Sequence, residues 1–128
     1  MAFSQTLDQT SSGASKPVTQ SNTYTGSGQA SVDETIADNT TDGVVDIAIN
    51  VSEIKLLIML SDQDMTIKTN SSGAPDDTIS LLANVPLIWT SDSYYTNKLT
   101  VDVTKLYVTN ASGSDASLKI EVLVDATP

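Results

Sequence analysis

The 128-residue chain has no cysteine and no histidine, and its six basic residues are all lysine. Without cysteine there are no disulfides, no thiolate nucleophile and no thiolate metal site. Without histidine the commonest general base, the usual zinc ligand and every Ser/His/Asp triad are excluded. Without arginine there are no bidentate forks to clamp a phosphate or a carboxylate. Carboxylates, lysine, tyrosine and hydroxyls remain, and a two-carboxylate glycosidase is the kind of enzyme such a set still permits. The expectation is a non-enzymatic protein with no cofactor and no resident metal.

Aromatics make up only 5% of the chain, with a single tryptophan. The longest dense apolar run, Ile54–Leu60, is interrupted by Lys55 and falls far short of the roughly 18 residues of a membrane-spanning helix. The N-terminus, Met1-Ala2-Phe3-Ser4-Gln5-Thr6-Leu7-Asp8, has neither a basic start nor an apolar stretch of secretory type, so the chain is expected to be made and used without export. Bases are scarce as well. Sixteen acids against six lysines give a formal charge of −10, which opposes binding to nucleic acid or to an anionic membrane.

What the chain has in abundance is hydroxyls: 17 Ser and 17 Thr. From Ser4 to Ser31 the sequence is almost entirely Ser, Thr, Gln, Gly and Asn, with neither helical nor strand periodicity. Asp8 and Lys16 cancel there, so the whole net charge falls on residues 32–128. The reading is a neutral, extended N-terminal arm (1–31) and an acidic body (32–128), with deletion of Met1–Gly28 expected to leave the body folded.

The body reads as short strands. Val44–Ile49 alternates after the turn signal Asp42-Gly43, and Ile54–Leu60 is a run suited to a strand covered on both faces. Met65–Thr69, Thr78–Leu82, Val85–Thr90, Leu99–Val103, Lys105–Thr109 and Ser117–Val124 follow, with a weaker strand at Gln29–Ile36, about nine in all. Pro86 must sit at a strand start or a sheet edge. Asn/Asp/Ser/Gly-rich turns separate the strands at roughly 8–12 residue spacing, and little helix is expected. The predicted fold is all-β, an antiparallel β-sandwich of jelly-roll or immunoglobulin-like type.

Few motifs carry chemistry. Asp38-Asn39-Thr40-Thr41-Asp42-Gly43 matches the first half of a calcium loop, but the twelfth position is Ile49 and no helices flank it, so a polar turn is the simpler reading. Asp62 with Asp64, or Asp76 with Asp77, reads as a loose calcium site or as solvated loop tips. Sequons at Asn39, Asn50, Asn70 and Asn110 follow from the abundance of Ser and Thr. Thr69-Asn70-Ser71-Ser72-Gly73 echoes Thr109-Asn110-Ala111-Ser112-Gly113, each closing a strand.

The candidate partner-binding residues are few. An arm of 28 residues reaches on the order of 90 Å, enough to lace onto a neighbour with Phe3, Leu7, Val18 and Tyr24 as spaced anchors. Trp89 reads as core, whereas Tyr94 and Tyr95 in a polar loop read as a protein contact or as loop packing before a sugar contact.

The run Leu99–Gly113, followed by Leu118–Val124 and the terminal Asp125-Ala126-Thr127-Pro128, resembles small β-rich virion proteins of tailed bacteriophages, and the likeness extends back through Ala74–Thr78 and Ile67–Asn70 to about Val32. The resemblance implies a capsid decoration or cement protein on the virion surface, made in the host cytoplasm. Its partners would be the major capsid protein and copies of itself, most naturally as a trimer. A receptor- or carbohydrate-binding module of a fibre or spike, or a head–tail or tail component, is the alternative.

Overall fold

A computed structural model describes residues 2–13 and 15–126; Thr127 and Pro128, which close the C-terminal phrase of the resemblance, lie outside the described residues. The chain is all-β. Its strands are β1 (Phe3–Thr10), β2 (Thr19–Gly26), β3 (Gly28–Ile36), β4 (Thr40–Val45), β5 (Ile54–Ser61), β6 (Met65–Thr69), β7 (Thr78–Leu81), β8 (Leu87–Thr90), β9 (Leu106–Asn110) and β10 (Ala116–Val124). A single 3-10 turn, Val51–Glu53, is the one helical element among the described residues.

The sheets are antiparallel throughout. One has the order β3-β10-β5-β8, the other β4-β9-β6-β7, and β1 and β2 form a separate hairpin. The pairing is nested: β6 with β7, β5 with β8, β4 with β9 and β3 with β10. Alternation dictates which residues turn inward. Ile120 and Val122 of β10 and Leu57 and Met59 of β5 meet Ile67, Val108 and Leu106 of the other sheet in one buried cluster. Trp89 of β8 packs against that cluster.

Turn chemistry is where the sequence places it. The described non-glycine residues with positive φ are Asn39, Asp42, Asn70 and Asn84, all Asn or Asp, which tolerate the left-handed region. Pro86 directly precedes β8, an edge strand whose ladder it cannot interrupt. On the opposite edge, Glu34 of β3 stands in register with the buried Leu118, a charge that deters another strand from adding there.

Three sequence readings change, the first at Val44–Ile49, of which only Val44 and Val45 are strand, in β4, while Ile49 makes an isolated bridge. Residues 4–31, read as lacking strand periodicity, hold a hairpin with register Phe3↔Gly26 through Thr10↔Thr19, while the weaker strand expected at Gln29–Ile36 is β3, one residue longer at its start. The hairpin does have a period of two: Phe3, Gln5 and Leu7 are half-buried while Ser4, Thr6 and Asp8 are exposed. Polar Gln5, between the two apolar residues, hides it. Leu99–Val103, read as a strand, makes only the isolated bridge Ile49↔Val103. Its neighbouring amides bond to side chains instead: Leu99 N to Asn97 Oδ1, Thr100 N to Asp77 Oδ2 and Thr104 N to Asn70 Oδ1.

The hairpin lies across the outer face of the β3-β10-β5-β8 sheet. Leu123 of β10 and Leu56 of β5 are buried but stand apart from the shared core, on the outer side of their strands. Gly26 at the hairpin base approaches so closely that a Cβ there would lie 2.3 Å from the Val124 carbonyl oxygen and 3.1 Å from Leu123 Cδ1. Within the run Ile54–Leu60, Leu57 and Met59 are covered by the core and Leu56 by the hairpin, whereas Ile58 and Leu60 on the outer face are half-buried and border an open groove. The hairpin is part of this burial, so deletion of Met1–Gly28 is expected to cost the body stability. The accessible surface, 7341 Å², exceeds the roughly 6,500 Å² of a compact chain of this mass, in keeping with a protruding hairpin.

Candidate functional site

The acidic loops act mainly as braces. Asp77 accepts Thr100 N at 2.7 Å, Asp62 accepts Ser117 N at 2.8 Å, Asp64 accepts Ala83 N at 2.9 Å, and Asp102 accepts Val51 N at 2.9 Å. Asp38 accepts Gly113 N, and Asp115 accepts Asp38 N. In the half calcium loop, Asp42 pairs with Lys68 at 3.5 Å. Carboxylates bound to backbone amides replace ladder partners that the loops lack. Among the described residues no group of three or more acids gathers as metal ligands.

Asn70 and Asn110, the paired asparagines of the sequence echo, do comparable work. Asn110 is buried; its Nδ2 donates to Ile36 O (2.9 Å) and Ser114 O (2.8 Å), and its Oδ1 accepts from Ser112 N and Oγ. Asn70 Nδ2 donates to Asp102 O and Asp76 Oδ2, at 2.8 and 2.7 Å.

The six candidate partner residues divide into three groups. Phe3 is half-buried at the hairpin base, opposite Gly26. Val18 is at the far end, 72% exposed, beside the tip closed by Ser11 N donating to Val18 O. Leu7, Tyr24, Tyr94 and Tyr95 come together around one cleft of about 420 Å³ between the hairpin and the loop after β8. No spacing in the sequence links residues 7 and 24 to 94 and 95; the folding-back of the hairpin does.

The β8 side of this cleft is rigidly built. Tyr95 Oη donates to Ile88 O at 2.5 Å, and Trp89 Nε1 donates to Tyr95 O at 2.9 Å. Ser93 Oγ accepts Thr90 N, and Ser93 N donates to Thr90 O. Ile88 O and the N–H and C=O of Thr90, on the outer edge of strand β8, are thereby occupied, which disfavours strand addition there. Tyr94, next in the loop, is fully exposed.

From base to tip the hairpin passes first over β10, where Gln5 Nε2 donates to Glu121 Oε1 at 3.5 Å. It then passes beside Ile88 and Thr90 of β8, and Gln9 and Gln20 border the cleft. Every described residue from Asp8 to Thr23 is exposed.

Comparison of the chain with models of protein families, with curated proteins and with solved structures returns no match.

Proposed function

We propose that the chain is a non-enzymatic virion structural protein, a decoration or cement protein that binds the assembled coat lattice and stabilises it. The observation that carries this reading is the hairpin: its outer part is exposed on all sides, bears Val18 at the tip, and extends from a rigid acidic body. An exposed paired ribbon is suited to reaching a neighbouring subunit at less ordering cost than a flexible arm. The nested strand pairing supports the architecture, since it is the order of an eight-stranded jelly-roll sandwich, a fold used in viral capsids and lectins. The scarcity of catalytic side chains and the engagement of the loop carboxylates with backbone amides support a role in binding.

A cement protein acts by mass action, binding the lattice and not its free subunits and so drawing the equilibrium towards assembly. On this reading the protein sits on the capsid surface and meets coat protein through the hairpin tip, with neighbouring copies, as a trimer, meeting through the body. The test is co-sedimentation of wild-type protein and of a variant in which an Asn-Gly turn replaces residues 11–18, which leaves the Thr10↔Thr19 register in place. Loss of capsid binding by the variant supports the reading, and unchanged binding overturns it.

A further inference from the structure

We infer that the cleft between the hairpin and the β8 loop is a binding site for a neutral saccharide, independent of whether the body sits on a capsid. Its size lies within the roughly 300–1,000 Å³ of small-molecule sites. Aromatic rings line it from both sides, Tyr24 from β2 and Tyr94 and Tyr95 from the loop. Such rings offer apolar faces to the C–H face of a pyranose and hydroxyls at the rim.

Between the rings stand Gln9, Asn22 and Asp92, whose side chains make no hydrogen bond among the described residues. Planar amides and a carboxylate are the groups that bond vicinal hydroxyls, donating and accepting side by side. No lysine lines the cleft, and the chain carries −10, so sialylated, sulfated or phosphorylated glycans are repelled. A peptide added as a strand is disfavoured because Tyr95 Oη and Ser93 already occupy Ile88 O and the N–H and C=O of Thr90 at the edge of β8. Those same bonds hold the loop in place before any ligand arrives, which lowers the ordering cost of binding.

The cleft at the ends of β6, β7 and β9, about 460 Å³, makes a useful contrast. It has no aromatic lining, and the carboxylate of its Asp64 is already engaged with Ala83 N.

The experiment is a microarray of neutral gluco-, galacto-, manno- and rhamno-configured oligosaccharides, with sialylated and sulfated ones as charged controls, probed with the full chain. Calorimetry then follows on any sugar bound. Tyr94→Ala and Asp92→Ala are the variants, because both side chains are exposed and neither supports the fold. The expected result is binding to a neutral sugar, with Kd raised about tenfold or more by each variant. Three results overturn the inference: no neutral probe bound at millimolar concentration, binding confined to charged glycans, or affinity unchanged in both variants. If Tyr94→Ala abolishes capsid co-sedimentation while no sugar binds, the cleft is a protein contact and the saccharide assignment falls.

Discussion

Leu56 of β5 and Leu123 of β10 are direct cross-strand partners, 1% and 0% exposed, on the side of their sheet that faces away from the shared core. A sheet face turned from the core normally carries polar side chains; these two leucines are dry because the N-terminal hairpin lies over them. The hairpin is therefore bound to the body by hydrophobic burial, although its own composition is almost wholly polar.

Removing residues 1–26 bares both leucines. With about 1.5–3 kcal/mol for each large apolar side chain returned to water, the truncated chain is expected to lose at least about 3 kcal/mol of stability. Leu123→Ala in the full chain should cost about 2–5 kcal/mol, as for a core leucine. Urea denaturation measures both. A truncated chain as stable as the full one would mean that the hairpin does not cover this face.

Gly26→Ala tests the same contact from the other side. The added methyl would meet the Val124 carbonyl oxygen, a backbone atom that cannot swing aside. The expected cost is about 1–3 kcal/mol, together with faster amide exchange at Ser27, whose N–H donates to that same oxygen. Gly73→Ala, where the added methyl meets nothing within 4 Å, is the control and should be near neutral.

Asn110→Ala leaves the carbonyls of Ile36 and Ser114 and the amide and hydroxyl of Ser112 without their shared partner. A loss of about 2–3 kcal/mol is expected by thermal or urea unfolding. Asn110→Asp restores the acceptor but not the donors and should not rescue it. Full rescue by Asp would show that the two carbonyl contacts contribute nothing.

Asp77→Ala removes the acceptor of Thr100 N and Thr100 Oγ1. Hydrogen exchange should quicken at Thr100 while the amides of β10 keep their protection, since the Thr100 amide bonds to the Asp77 side chain and not to a strand ladder. Unchanged exchange at Thr100 would refute the bracing role.

Much of the fold can be read in the sequence because burial and alternation coincide in it. Met65–Thr69 is β6 to the residue, and Ser117–Val124 is β10 less one residue. The Ile54–Leu60 run signals cover on both faces, which holds at Leu56 and Leu57 but not at Ile58 and Leu60, half-buried on the outer face. Leu99–Val103 alternates and buries Leu99 and Val103, yet the amides of Leu99 and Thr100 go to Asn and Asp side chains that pattern alone does not assign. Phe3, Gln5 and Leu7 alternate too, but an amide at the middle position erases the hydrophobic signal. The site was half visible: Tyr94 and Tyr95 stand out as aromatics in a polar loop. Their meeting with Leu7 and Tyr24 depends on a crossing of the hairpin over the sheet, which no local pattern encodes.

The most direct test of the proposed role is co-sedimentation of the full chain with assembled phage capsids and, separately, with unassembled coat subunits, beside the variant shortened at residues 11–18. The expected result is saturable binding to capsids alone, at a fixed ratio to coat protein, lost or strongly weakened in the variant. Equal binding to free subunits, binding to neither, or full binding by the shortened variant would contradict a lattice-binding cement protein that holds on by its hairpin tip.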